Sequence, residues 1–392
     1  MCDVPALRFP EFTGEWERHK LSEVCSFYSG GTPSSSKKEY YNGNIPFIRS
    51  GELHKDYTEL FITEAGLSNS AAKLVETGDL LLALYGATSG DIAISKIKGA
   101  INQAILCIRT KQNKKFIESV WNKHVERLLQ TYLQGGQGNL SADIVKNIPL
   151  YFANSNEQDK LAKFISLLDE RIATQNKIIE KYESLIQAMC DTLVEQETQQ
   201  VTLSFSDFGQ SYLGLSGKSA EDFGEGYPFI TYMNVYQNQI IDLTDVGLVK
   251  INETEQQSVV RYGDILLTLS SETPEEVGMG AVYLGETYPL YLNSFCFGIH
   301  ITDESKIYPP FLAYYVSSQS FRKAVYPLAQ GSTRFNLQKS DFMKKKFSFP
   351  VIEKQRKIYS TLKTYSDKLI VEKQIMRLLC NQKCYLLRQL FI

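Results

Sequence analysis

No stretch of about 20 consecutive apolar residues occurs in the 392-residue sequence, so no membrane-crossing helix is expected. The opening segment MCDVPALRFPEF lacks a charged start followed by an apolar run, so no secretory signal is expected and the cytoplasm is the expected location. Cysteine is sparse and scattered: Cys2, Cys25, Cys107, Cys190, Cys296, Cys380 and Cys384 form an odd set with no disulfide framework. Only Cys380 and Cys384 lie close. With no second pair or nearby histidine they make no metal site, and they are expected as buried helix residues. Four histidines, His19, His54, His124 and His300, assemble no Ser/His/Asp set. Strong charge is absent too: the net of −2 shows none of the basic excess that announces a nucleic-acid binder.

Motifs for nucleotide and methyl-donor chemistry also fail on inspection. Gly217-Lys218-Ser219 ends like a phosphate-binding loop, but that loop needs glycine five residues before Gly217, where Tyr212 stands. FGEGYP at 223–228 is similar to the glycine turn of S-adenosylmethionine-dependent methyltransferases, yet it precedes a strand pattern where that turn should follow one. NIPLYF at 147–152 departs from the Asn-Pro-Pro-Tyr motif of adenine methyltransferases and sits where a domain-closing strand is expected. A chain of this length without a catalytic motif reads as a recognition or scaffold protein.

What the sequence does contain is a repeat. IPFIRSGELHKD (45–56) returns as YPFITYMNVYQN (227–238), GDLLLAL (78–84) as GDILLTL (263–269), and GNLSADI (138–144) as FNLQKSDF (335–342). Each last motif leads into an apolar stretch with a proline, Pro149 or Pro350, and then into a long helical pattern. The order is therefore domain 1–154, helix 155–198, domain 199–352, helix 353–392. Short apolar runs broken by turn residues at 29–36, 86–91 and 270–276 mark the domains as mixed and mainly β. Alternation over 230–243 suggests strands, and helical patches are expected at 115–133 and 309–326.

The long helices carry a heptad seam. In the first it runs Leu161, Ile165, Leu168, Ile172, Gln175, Ile179, Tyr182, Ile186, Met189, Leu193. Shifted by 197 it becomes Ile358, Leu362, Tyr365, Leu369, Glu372, Met376, Leu379, Lys383, Leu386, Leu390. The first helix holds five Lys/Arg against nine Asp/Glu, the second nine against three, so their flanks attract. The expected fold class is α+β: two repeated, mainly β domains separated by two long helices that form an antiparallel coiled coil with pseudo-two-fold symmetry. Packing of each helix on its own domain, or a homodimer, is the alternative. The residues singled out for helix pairing are Leu161, Ile165, Leu168, Ile172, Ile179, Ile186, Ile358, Leu362, Leu369, Met376 and Leu379.

This order and duplication resemble the specificity subunits of Type I restriction–modification systems. LRFPEFTGEWERHKLSEVCSFYSGGTPS (7–34), GDLLLALYGATSGDIAI (78–94), GGQGNLSADIVKNIPL (135–150) and QGSTRFNLQKSDF (330–342) are similar to that family's text. Glu157-Gln158 and Lys354-Gln355 stand where the family often has Glu-Gln at the helix start. The double proline common before the helix is missing at 149–156, and 270–282 is longer and more acidic than its counterpart. The resemblance implies a non-catalytic subunit that reads a split site on double-stranded DNA, with the helices as a ruler for the gap. It also implies two methyltransferase subunits as partners, together with restriction and translocase subunits. S-adenosylmethionine, ATP and magnesium would belong to those partners, with no cofactor and no membrane contact on this chain.

Neither domain is basic: 1–154 nets +1 and 199–352 nets −5, so phosphate neutralisation must come largely from partners. Base readout needs only a few placed donors and acceptors. In the first domain the candidates are Ser29, Thr32, Ser34, Lys37, Lys38, Arg49, Tyr85, Thr88, Gln134, Gln137 and Asn139. In the second they are Lys218, Thr231, Tyr232, Ser270, Ser271, Gln330, Ser332, Thr333, Arg334 and Asn336. Lys344, Lys345 and Lys346 form the one tight basic run, either a DNA contact or a solvated face. Two rival readings stand beside recognition: a protein-binding scaffold without DNA contact, and an enzyme with an unfamiliar motif.

Overall fold

A computed structural model describes residues 4–132 and 139–392. Its contacts divide into two compact units, Met1–Asn176 with Gln374–Ile392, and Lys177–Lys373. The long helices span Ser155–Glu195 and Ile352–Leu390, so each unit holds one β-rich domain and about half of each helix. The mixed α+β class with repeated domains is what the structure shows. Among the described residues no helix is long and apolar enough to cross a membrane.

Each unit is organised around one strand buried on both faces. In the first this is Leu80–Ala83, centre of an antiparallel sheet ordered Cys25–Ser29, Ile105–Thr110, Leu80–Ala83, Ile92–Ile94. Its side chains alternate: Leu80 and Leu82 join the core around Phe116 and Trp121, while Leu81 and Ala83 face Ile48, Val75 and Ile101. The second unit repeats the sheet as Gly209–Leu213, Cys296–Ile301, Ile265–Thr268, Gly280–Val282. Here Ile265 and Leu267 enter a phenylalanine-rich core, and Leu266 the opposite cluster. The Gly-Asp opening of both motifs has a local cause. Gly78 and Gly263 sit at φ +90° and +85°, a region that favours glycine. Asp79 and Asp264 then accept the N–H of the residue three before them, Glu76 at 3.0 Å and Arg261 at 2.8 Å.

The repeat extends to irregularities. Tyr41–Ile48 pairs in parallel with Gly99–Ile101, as Phe223–Ile230 does with Tyr291–Leu292. Both long strands break register at the matching place, between Tyr41 and Ile45 and between Phe223 and Tyr227. The closing strands pair with the strand that opens each domain, Pro149–Phe152 with Glu17–Lys20 and Lys346–Pro350 with Gln200–Ser204.

A buried glutamine fixes the start of each long helix. Gln158 donates to the Ala153 carbonyl at 2.7 Å and accepts from the Asn113 N–H at 3.1 Å. Gln355 does the same with Pro350 and Tyr308, both at 2.8 Å. The neighbouring residues carry opposite charges in the two copies. Glu157, 1% exposed, receives Arg8 at 2.7 Å, whereas Lys354 meets Glu197 at 3.0 Å. Along both helices, every seam position is buried or half-buried, Gln175 and Glu372 included. Leu161 and Ile165 share the first unit's core with Leu387 and Leu390, and Asp169 meets Lys383 at 2.6 Å. In the second unit Ile186 shares the core with Ile358 and Leu362, and Glu183 meets Lys373 at 2.7 Å.

Three local expectations are corrected. The 230–243 segment holds a helix, Tyr232–Gln237, where strands were expected. The Thr231 hydroxyl caps it by accepting from the Asn234 N–H at 3.1 Å, and buried Asn234 ties back the carbonyls of Asp242 and Asp245. The single patch expected at 309–326 is two helices, Pro309–Tyr315 and Gln319–Val325, because the Ser318 hydroxyl donates to the Tyr315 carbonyl and caps the second helix at Phe321. Its counterpart is one helix, Lys114–Tyr132. Cys380 and Cys384 are exposed rather than buried.

Candidate nucleic-acid interface

The same main-chain clamp gathers distant loops in each unit. In the first, the Leu84 N–H donates to the Ala104 carbonyl at 2.8 Å, and the Leu84 carbonyl accepts from the Leu140 N–H at 2.9 Å. In the second, Leu269 donates to Phe295 at 2.9 Å and accepts from Leu337 at 2.8 Å. The loop after the buried strand is thereby held beside two segments far away in sequence.

In the first unit the clamp brings Tyr85, Thr88 and Asn139 to one edge, with Tyr85 and Asn139 exposed. Thr32 joins them, its hydroxyl donating to Gln103 Oε1 at 2.7 Å, next to Ala104. Ser29 ends the strand paired with Ile105–Thr110 and is exposed. Ser34, Lys37 and Lys38 lie further along that loop; Ser34 pairs with the Ser36 hydroxyl and Lys37 donates to the Tyr40 hydroxyl at 3.0 Å. Arg49 is held elsewhere, by Glu52 at 2.9 Å and Glu59 at 2.7 Å. Burial alone would raise the Glu52 carboxyl, but hydrogen bonds from Arg49, Glu59 N–H and Thr58 outweigh it and hold the group down to about 2. Gln134 and Gln137 lie outside the described residues.

The second unit shows a defined groove of about 650 Å³ lined by Tyr232, Met233, Tyr236, Ser270, Ser271, Glu272, Glu276, Thr333 and Arg334. Five of these come from the sequence candidates, and the structure collects them from three separate stretches. A small antiparallel ribbon positions the rest: Asn336 pairs with Ser270 on one side and Gln330 on the other. Gly331, at φ +141°, makes the tight turn that follows, since an added Cβ would lie 2.1 Å from the Arg334 carbonyl oxygen. Ser332 is exposed on that turn, and Thr231 is spent as the helix cap. The Arg334 guanidinium rests over the Phe295 ring at 5.5 Å. The Tyr232 hydroxyl donates to the Ser270 carbonyl at 2.8 Å, and its ring stacks on Tyr236. Glu276 is engaged from within: hydrogen bonds from Tyr236, Ser271 and Thr273 hold its carboxyl below the usual range, with Ser271 at 3.0 Å.

Lys218 departs from expectation. Its side chain is 4% exposed and its ammonium lies 2.5 Å from Glu255, so it is withdrawn from the loop surface. Of the basic run, Lys346 pairs with Asp207 at 2.7 Å. Sequence reasoning missed Met233, Tyr236, Glu272, Glu276 and Phe295. The repeat alignment reaches Glu272, three residues after the clamp leucine, but a search for donors and amides passes over carboxylates. Among the described residues no group of histidine, cysteine and acidic side chains could hold a metal ion.

Comparison with known proteins agrees over both halves. The Type I restriction modification DNA specificity domain matches residues 13–184 and again 214–379. The Type I restriction enzyme MjaVIII specificity subunit of Methanocaldococcus jannaschii is 22% identical over 95% of this chain and 90% of its own length. The EcoR124I/EcoR124II specificity subunit of Escherichia coli is 26% identical over 42% of this chain and 43% of its own. Among solved structures, the S subunit of a Type I restriction–modification system from M. genitalium covers 99% of both chains at a TM-score of 0.56 and 16% identity. A chain from a structural study of complex assembly and conformational transition in the Type I system covers 95% of this one at a TM-score of 0.59 and 15% identity.

Proposed function

This chain belongs to the family of Type I restriction–modification DNA specificity subunits, and from that premise we propose that its two domains each read one half of a split site on double-stranded DNA. The observation that carries this reading is the duplicated clamp. Two copies of one frame present different side chains at matching places: Tyr85, Gly86, Ala87 and Thr88 after Leu84, against Ser270, Ser271, Glu272 and Thr273 after Leu269. One frame with two surfaces suits two different half-sites.

The long helices then serve as the ruler for the unread gap. At ~1.5 Å per residue, a helix of this length reaches ~60 Å. The ion pairs Asp169–Lys383 and Glu183–Lys373, each within one unit, support an antiparallel seam of the residues singled out above. Catalysis lies with partners: two methyltransferase subunits bring S-adenosylmethionine, and restriction subunits bring ATP and magnesium. Those partners also supply phosphate contacts that domains of +1 and −5 cannot.

The test is co-expression with a methyltransferase subunit of a Type I system from the same source, followed by mapping of methylated adenines in host DNA. A split motif with a fixed gap is expected, and replacing residues 1–154 by a related domain changes one half alone. A stable complex that adds no methylation refutes the reading and favours the protein scaffold.

A further inference from the structure

The groove of the second unit has the wrong sign for a DNA-reading surface. Two carboxylates, Glu272 and Glu276, share it with one guanidinium, Arg334. Phosphates repel a carboxylate, so an acid here weakens binding to every sequence unless some DNA group donates to it. In the major groove the bases offer only two such donors, the N4 amino group of cytosine and the N6 amino group of adenine.

The two acids differ. Glu276 already accepts from Ser271 and Tyr236. Glu272 is exposed, and among the described residues no hydrogen bond or ion pair engages it. Nor does the fold require it: the clamp closes equally well in the first unit, where the matching residue, three past Leu84, is Ala87. Arg334, by contrast, is pre-placed. Phe295 supports its guanidinium, and the Gly331 turn fixes its backbone.

Resting on the DNA-reading function proposed above, we propose that Glu272 is a specificity-determining acceptor that selects the N4 amino group of cytosine, with Arg334 taking the O6/N7 edge of guanine in the same half-site. Adenine is the poorer match because its amino group lies beside N7, an acceptor that a carboxylate repels. Cytosine shows no acceptor there.

The experiment uses the purified complex of the full chain with its methyltransferase and a pool of randomised duplexes, selected at one fixed salt concentration and sequenced. The wild-type complex enriches a split motif with a C·G pair in one half. Glu272→Gln, which adds a donor suited to adenine, lowers the preference for cytosine at one position by roughly tenfold, within the roughly 5- to 150-fold range of a good base contact, and leaves the other half unchanged. Because Glu272 is exposed and, among the described residues, unpaired, folding is not at stake, and retained preference at the remaining positions of the same half-site verifies it. A variant motif identical to wild type overturns the assignment, as does a wild-type motif lacking C·G in the half set by residues 199–352. A wild-type complex that enriches no motif overturns DNA reading itself, a failure visible before any variant is made.

Discussion

Replacing Gln158 by alanine should unfold the first unit early, and the structure gives the size of the effect. The Gln158 side chain is 2% exposed and serves three partners: the Asn113 N–H at 3.1 Å, the Ala153 carbonyl at 2.7 Å and Gln112 Oε1 at 2.8 Å. Alanine strands two main-chain groups. Each costs about 1–3 kcal/mol when buried, with Asn113, only half-buried, toward the lower end. The expected loss is therefore about 2–4 kcal/mol. Fluorescence isolates the unit, because the sequence has two tryptophans and both, Trp16 and Trp121, are buried within it. With a urea slope of about 2 kcal/mol per molar, the tryptophan transition moves down by about 1–2 M at unchanged slope. Gln158→Met, which keeps the volume and loses the bonds, should fall nearly as far. A shift below about 0.3 M in both variants refutes the claim that this glutamine secures the helix start.

Other outcomes follow from charge. The Glu52 carboxyl, held down to about 2 from an ordinary 4.5, contributes stability that is complete above the ordinary value and is lost as pH falls toward about 2. The lead of wild type over Glu52→Gln in tryptophan-monitored unfolding should thus be constant near neutrality and shrink through that acid window; a lead independent of pH rejects the assignment. Arg8→Ala abandons Glu157 at 1% exposure and should cost about 3 kcal/mol in the same assay, with partial recovery in Arg8→Ala/Glu157→Gln. Equal losses in the single and double variants would show that the pair's charge is irrelevant.

Much of the frame can be read from the sequence because its causes are local. A 4–3 spacing keeps one helix face turned inward, and the seam from Leu161 to Leu193 is indeed the stripe without an exposed residue. Gly78 and Asp79 announce a turn whose geometry only glycine suits and whose N–H the carboxylate caps. The misreadings have nonlocal or competing causes. Alternation over 230–243 was overruled by the Thr231 cap and by Asn234, which reaches to Asp242 and Asp245. One helical patch became two because the Ser318 hydroxyl both ends the first helix and starts the next. Lys218 is drawn inward by Glu255, a partner 37 residues away that no spacing reveals. The groove itself depends on three stretches meeting, and its carboxylates look unsuitable until their place beside Arg334 is known.

The clamp at Leu84 and Leu269 is made of peptide groups alone. It therefore asks nothing of the exposed side chains at the matching places Ala87 and Glu272, which can be rewritten at little cost in folding, whereas Gly86 at φ +77° and the buried Ser270 and Ser271 are tied to the frame. Under the proposed reading, new sequence preferences would arise by substitution in a few residues of either copy while the other keeps its own. If the two domains read split half-sites as proposed, the vocabulary of such a reader is cheap to change, whereas its syntax, two words at a set interval, would reside in the helices and be expensive.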